Sequence, residues 1–230
     1  MNLVQIIKMI YLKNKIKGFI FTKQTIIYLC SYNNNRKFFM LNIIIFGAPG
    51  SGKGTQSEKL TEKYNLTHIS TGEVLRDKIE RQTELGKLAN KYMSKGQLVP
   101  DNLVIDMLHE FITSNTESKG YVLDGFPRTL PQGEAMDKIL EEQNESINVV
   151  LWLDVDDDEL IGRLVNRGKD SGRDDDTLET IKSRLAVYYR ETEPLKEFYS
   201  KQGKLAQIDG MGTVGEIFAR IEKVVDNLSY

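Results

Sequence analysis

The strongest chemical signal in the sequence is a glycine-rich stretch that runs from Gly47 to Thr55, with the order Gly-Ala-Pro-Gly-Ser-Gly-Lys-Gly-Thr. The apolar run Leu41–Phe46 precedes it, and a helix-like segment follows from Gln56. A strand, a glycine-rich turn and a helix start are the context of a phosphate-binding loop, because glycines let successive backbone N–H groups point at one anion. Lys53 adds a mobile positive charge that can reach the outer phosphates of a nucleotide.

A carboxylate at the end of another apolar strand is the second signal. Gly120–Asp124 reads as a strand that ends in Asp124, and the loop ends in the hydroxyl of Thr55. A carboxylate in this position can order the water molecules of a magnesium ion near phosphates. We therefore expect Mg²⁺ to bind with the nucleotide, near Thr55 and Asp124, without direct protein ligands.

Arginines form the third signal. They lie near glycine turns and strand ends, at Arg76, Arg128, Arg163, Arg167, Arg173 and Arg184. Phosphoryl transfer between two polyphosphates gathers several negative charges in one cleft, and guanidinium groups are natural counter-charges there. His68 and His109 are interpreted as structural, because this chemistry needs no strong base.

Strand-like and helix-like segments alternate from Leu41 to the end, which predicts a parallel sheet with helices on both faces. The predicted strands are 41–46, 66–69, 120–124, 147–153 and 204–208. The predicted helices are 56–64, 73–95 with a break near Thr83, 101–111 capped by Asp101, 131–142, 156–166, a long helix from Asp176 with a kink at Pro194, and one capped by Thr213 and Glu216. A short link, Gly168–Gly172, is expected between two of them. Ligands should lie at the carboxyl ends of the strands.

Composition limits the possible functions. The chain has 230 residues and a net charge of −2, and the part after residue 39 carries 24 Lys and Arg against 33 Asp and Glu. Such an acidic body argues against a general nucleic-acid surface. The single cysteine, Cys30, excludes an internal disulfide and a multi-cysteine zinc site, and suits a reducing compartment.

Residues 1–39 differ from the rest, with seven Lys and Arg and no acidic residue. A targeting peptide fits the missing acids but not the single Arg, and a membrane anchor lacks an apolar run of about 18 residues. Met40 stands directly before the first strand, where a start codon would sit. We expect residues 1–39 to be an upstream translation artefact or a dispensable extension, outside the fold.

From Met40 onwards the chain resembles the adenylate kinases, within the nucleoside monophosphate kinase family. The motifs that carry the resemblance occur in the family's order and cover nearly the whole body: Gly47–Thr55, Ser70–Arg76, Gly96–Asp101, Asp124–Gln132, Arg163–Arg167, Arg173–Asp175 and Ile208–Gly210. The resemblance implies reversible phosphoryl transfer from ATP to AMP, which gives two ADP and serves adenine nucleotide homeostasis.

The resemblance also implies roles for individual residues. The ATP side would consist of Gly50, Ser51, Gly52, Lys53, Gly54, Thr55, Arg163, Arg167 and Gly212. The AMP side would consist of Thr71, Arg76, Gln97, Leu98, Val99, Gly125, Phe126, Pro127, Arg128, Gln132, Arg173 and Arg184. The catalytic residues would be Lys53, Arg128, Arg167, Arg173 and Arg184.

The implied organisation is an α/β fold of the P-loop NTPase type over residues 40–230, with a five-stranded parallel sheet. The core would span 40–69, 100–165 and 175–230, with a helical NMP-binding flap at 70–99 and a short lid at about 166–174. Only five residues separate Arg167 from Arg173 and no cysteine lies there, so we expect no structural zinc. A cytoplasmic monomer without nucleic-acid or membrane partners is expected.

Two other functions compete with this interpretation. A UMP/CMP kinase shares the loop and the short lid, but Thr71 and Gln132 favour an adenine base. A catalytically silent nucleotide-binding protein is the other alternative. Such a protein would not need the complete set of charged groups for phosphoryl transfer, and this sequence has that set. A GTPase is disfavoured, because no Asn-Lys-x-Asp motif occurs.

Overall fold

A parallel β-sheet forms the centre of the protein in this computed structural model, which describes residues 40–115, 117–171 and 177–228. The strands are β1 (Ile43–Phe46), β2 (Thr67–Ser70), β3 (Tyr121–Asp124), β4 (Val149–Asp154) and β5 (Leu205–Asp209). They lie in the order β2-β3-β1-β4-β5, and all neighbouring pairs are parallel. The predicted five-stranded parallel sheet is confirmed.

Helices cover both faces of this sheet. They are α1 (Lys53–Tyr64), α2 (Thr71–Glu80), α3 (Glu84–Met93), α4 (Asp101–Ser114), α5 (Leu130–Glu142), α6 (Asp157–Ser171), α7 (Leu178–Val187), α8 (Leu195–Lys201) and α9 (Val214–Val225). A π-helical turn, Tyr188–Thr192, follows α7. Within the described ranges no helix is both long and apolar enough to cross a bilayer.

The side chains of β1 explain why the sheet is central. Ile44 and Phe46 pack into one apolar cluster with α4, α5, α6 and α8, while Ile43 and Ile45 pack into a second cluster with α1 and α9. All four side chains are buried, which is what a continuous apolar strand in a parallel sheet requires. The loop after β1 is therefore attached to the most buried strand.

The flap prediction corresponds to two short helices, α2 and α3, with a turn near Thr83 as expected. Thr83 caps α3, since its hydroxyl oxygen accepts a hydrogen bond from the backbone N of Gly86 at 3.0 Å. Gly86 lies against α2 so closely that a Cβ there would overlap the carbonyl group of Lys78. The absence of a side chain at this position thus sets the distance between the two helices.

Three predicted helix boundaries are wrong. Helix α6 continues to Ser171 instead of ending at Asn166, so the predicted link is helical up to that residue; a single Gly168 in a helix costs only about 1 kcal/mol. Pro100, not Asp101, is the N-cap of α4, and the helix runs on to Ser114. The predicted long helix with a kink at Pro194 is two helices: α7 begins after its N-cap Thr177, whose hydroxyl oxygen accepts from the N–H of Thr180 at 3.2 Å, and α8 begins after Pro194, its N-cap, with the π-helical turn between them.

One predicted helix cap is confirmed, and three predictions fall on residues that the structure does not describe. Thr213 and Glu216 form the predicted capping box of α9, with both reciprocal hydrogen bonds present. Asp176, the predicted extension 1–39 and the site residue Arg173 lie outside the described residues.

Candidate active site

The glycine-rich loop joins the carboxyl end of β1 to α1, as predicted. Gly50 has φ +89°, and a Cβ there would lie 2.9 Å from the carbonyl oxygen of Leu160, so this position favours glycine for two reasons. Gly52 is the N-cap of α1, no side chain caps the helix, and its first turn has no acidic residue. An uncapped helix N-terminus without acids is typical of an anion-binding site.

Lys53 lies inside the curve of this loop. Its ammonium group donates hydrogen bonds to the carbonyl oxygens of Gly47 at 2.7 Å and Ala48 at 3.0 Å. Burial lowers the pKa of Lys53 to about 8; the carboxylate of Asp124 opposes this shift, and three arginines, Arg128, Arg184 and Arg167, add to it. The lowered pKa therefore results mainly from the burial of the ammonium group, and the nearby arginines add a smaller effect of the same sign.

A cleft of about 380 Å³ brings most of the predicted residues together at the carboxyl ends of the strands. Its lining includes Gly50, Gly52, Lys53, Gly54, Thr55, Arg76, Leu98, Asp124, Gly125, Pro127, Arg128, Arg163, Arg167 and Arg184. Five of the six predicted arginines thus face one space with the loop lysine. The sixth, Arg173, is outside the described residues.

A smaller cavity of about 50 Å³ lies beside the cleft and shares with it the lining residues Gly72, Leu98, Gly125 and Arg128. Four further predicted AMP-side residues line it: Thr71, Gln97, Val99 and Gln132. Apolar Leu75, Met93 and Val104 complete its wall. An apolar cavity with a few polar groups is suited to an aromatic base next to a charged cleft.

The polar groups of this cavity are held by the turn after β3. The hydroxyl group of Thr71 donates to the carbonyl oxygen of Gly125 at 2.8 Å, and Nε of Arg128 donates to the same oxygen at 2.9 Å. The peptide bond between Phe126 and Pro127 is cis. One carbonyl oxygen thereby positions a residue from α2 and a residue from the loop before α5.

Gln132 has partners on both ends of its amide. Nε2 donates to Oδ1 of Asp101 at 2.7 Å, and Oε1 accepts from the backbone N of Arg128 at 2.8 Å. The hydroxyl of Thr129 donates to Oδ2 of Asp101 at 2.9 Å. Asp101 was not predicted as a site residue, because an aspartate at a helix start is typical of a cap.

Three predicted site residues line neither space. The side chain of Ser51 is buried within the loop, 3.5 Å from Nζ of Lys53. The ring of Phe126 is fully buried in the core. Gly212 lies before α9 with φ +109°, and a Cβ there would lie 2.8 Å from a carboxylate oxygen of Glu216. Arg163, which does line the cleft, also pairs with Glu159 at 2.7 Å.

Metal-binding side chains are not clustered in the part of the chain that the structure describes. Within residues 40–115, 117–171 and 177–228 no group of three His, Cys, Asp or Glu side chains is placed to hold a metal ion. Asp124 and Thr55 offer a carboxylate and a hydroxyl oxygen to the same cleft. These are oxygen donors of the kind that Mg²⁺ prefers when phosphates supply the other ligands.

Comparison with known proteins gives a consistent result. A model of the adenylate kinase family matches residues 45–204. The adenylate kinase of Parabacteroides distasonis is 56% identical over 189 residues, which cover 82% of this chain and 100% of the relative. The adenylate kinase of Porphyromonas gingivalis is 51% identical over 187 residues, which cover 81% of this chain and 96% of the relative. Together with the geometry of the loop and the cleft, these matches show that the chain belongs to the adenylate kinase family of phosphotransferases.

Proposed function

We propose that this chain transfers a phosphoryl group reversibly from ATP to AMP, giving two ADP, and so contributes to adenine nucleotide homeostasis. The observation that carries the proposal is the convergence of Lys53 and five arginines on one cleft beside a smaller cavity with an apolar wall. Two polyphosphates brought together for transfer need this density of positive charge. The alternatives, a UMP/CMP kinase and a silent binding protein, have no support in the comparisons.

The ATP phosphates would bind to the backbone of Gly50–Thr55 and to Lys53, with Arg163 and Arg167 above them. AMP would bind with its base among Thr71, Gln97, Val99 and Gln132, and its phosphate between Arg76, Arg128 and Arg184, with Arg173 as a further predicted contact. An AMP phosphate oxygen is already anionic near neutral pH. Catalysis then consists of positioning and charge stabilisation, without a protein nucleophile.

The adenine preference is supported by two side chains in the small cavity. The Thr71 hydroxyl uses its proton on Gly125, which leaves its lone pairs to accept a hydrogen bond. Gln132 retains one N–H and one carbonyl lone pair after its contacts to Asp101 and Arg128. Both residues match a base with an amino group next to a ring nitrogen acceptor.

Magnesium fits the donor set of the cleft. Asp124 and Thr55 would hold Mg²⁺ together with ATP, through its water molecules, and the ion would neutralise phosphate charge. We also propose that residues 70–99 act as the AMP-binding flap and residues at about 166–174 as a short lid. A monomer in the cytoplasm completes the proposal; the single cysteine suits a reducing compartment.

The decisive experiment is an ADP-formation assay with ATP and Mg²⁺ in which AMP, CMP, UMP and GMP are offered in parallel to the full chain. Turnover with AMP well above the other acceptors is the expected result. Preference for CMP or UMP would contradict the assignment of Thr71 and Gln132 but keep the mechanism. No turnover with any acceptor, while nucleotide still binds, would support a silent binding protein.

A further inference from the structure

The amide of Gln132 is held in one orientation by two partners of opposite kind. The carboxylate of Asp101 can only accept, so it requires the NH₂ end, and the backbone N–H of Arg128 can only donate, so it requires the oxygen end. Turning the amide over would place acceptor against acceptor and donor against donor. Because Gln132 is 2% exposed, water cannot substitute for either partner.

Asp101 is itself fixed. Its second carboxylate oxygen accepts from the hydroxyl of Thr129 at 2.9 Å, and Thr129 is the N-cap of the helix that carries Gln132. Asp101 also lies in the first turn of α4, where the helix dipole favours a negative charge. The carboxylate is therefore a rigid reference point between α4 and α5.

The orientation matters because the two ends of the amide read different bases. A 6-aminopurine offers an acceptor at N1 and a donor at its amino group, whereas a 6-oxopurine offers a donor at N1 and an acceptor at its oxygen. A glutamine that can turn over serves both bases equally. A glutamine held in one orientation serves only one of them.

We infer that Asp101 is a positioning residue which, by fixing the amide of Gln132, makes the acceptor site select 6-amino over 6-oxo purine monophosphates. This inference rests on the proposed use of AMP as the acceptor. Asp101 contacts Gln132 and lines neither the cleft nor the small cavity, so its effect is on the choice between acceptors and not on the chemical step.

The test compares AMP with inosine monophosphate, which differs at the 6-position and N1 and lacks the extra amino group of GMP. In Asp101→Asn the new amide can present either end to Gln132, so only the backbone N–H of Arg128 still favours the original orientation. The ratio of kcat/KM for AMP to that for inosine monophosphate should then fall about tenfold, the usual effect of one hydrogen bond to a charged group. The KM for ATP should not change.

Three control variants separate an effect on the orientation of the Gln132 amide from a general effect on the structure of the site. Asp106→Asn makes the same change at an exposed position of α4 and should leave the ratio unchanged. Thr129→Val removes the other contact of Asp101, together with the N-cap hydrogen bond to the backbone N of Gln132, but keeps the bond between Asp101 and the Gln132 side chain, so the ratio should largely persist. In a Gln132→Leu background, Asp101→Asn should have no further effect on the ratio.

The outcomes are distinguishable. An Asp101→Asn enzyme that loses activity equally with both acceptors overturns the inference and leaves the proposed function intact. If that variant does not fold, Asp101→Ser, which suits a helix start and has a hydroxyl that can donate or accept, must show the same fall in ratio. A wild-type chain that does not use AMP overturns the proposed function and the inference together.

Discussion

Thr192 donates its hydroxyl proton to the carbonyl oxygen of Arg128 at 2.9 Å, across 64 positions of the sequence. Thr192 is the last residue of the π-helical turn Tyr188–Thr192 and is almost fully buried. Arg128 lines both the cleft and the small cavity. The turn after α7 therefore positions the backbone beside an arginine of the candidate AMP site.

Replacing Thr192 by valine should weaken AMP binding more than ATP binding. The change removes a buried donor from the Arg128 carbonyl, which should lower the free energy of unfolding by about 1 kcal/mol. We expect the KM for AMP to rise about threefold to tenfold, because the loop can shift. Steady-state kinetics and urea denaturation test this, with Thr192→Ser as the variant that retains the hydroxyl. An unchanged KM for AMP in the valine variant would contradict the prediction.

Lys53→Met should nearly abolish turnover and leave the fold intact. Loss of one charge contact made in the transition state costs on the order of 3 kcal/mol or more, which corresponds to at least a hundredfold in kcat. Circular dichroism should be unchanged, because methionine fills a similar volume. Lys138→Met, at an exposed position of α5, is the matched control and should keep full activity. Near-normal rates in the Lys53→Met variant would refute the assigned role.

Activity should fall at alkaline pH because of the same lysine. Its pKa is lowered to about 8, so the free enzyme loses this charge above that pH, and kcat/KM for ATP should decrease about tenfold per pH unit there. Bound phosphates favour the charged form, so the decrease in kcat should begin at higher pH. Profiles of kcat/KM and kcat against pH, from about 6.5 to 10, test both expectations. Lys53→Arg is the comparison variant: arginine stays charged in this range, so any residual activity should lack the decrease near pH 8.

The contact between α2 and α3 gives a stability prediction. Gly86→Ala places a methyl group into the carbonyl group of Lys78, and overpacking of this kind costs about 1–3 kcal/mol. Gly162→Ala, on α6, meets no atom within 4 Å and should stabilise the protein by about 0.5–1 kcal/mol through helix propensity. Chemical denaturation of both variants checks the pair. Equal changes in the free energy of unfolding for the two variants would show that the close contact between Gly86 and Lys78 does not exclude a methyl group.

The sequence predicts those features that depend on local patterns. The apolar strand before Gly47, the glycine turn and the capping box of Thr213 and Glu216 each need only a few neighbouring residues, and the structure has all of them. The role of Asp101 could not be predicted, because its partner Gln132 lies 31 residues away and a carboxylate at a helix start serves equally well as a cap. The extension of α6 was missed because a glycine marks many helix ends but does not force one.

The position of β1 between β3 and β4 determines when a nascent chain can form its phosphate-binding site. This strand pairs with β3 through Val122–Asp124 and with β4 through Val149–Trp152, both of which are translated long after Lys53. A ribosome that has exposed the chain only as far as α3 presents the complete glycine-rich motif without the strands that hold it. Capture of nucleotide by arrested chains of increasing length should therefore begin only once β4 has emerged, which makes phosphate binding a reporter of sheet completion during translation.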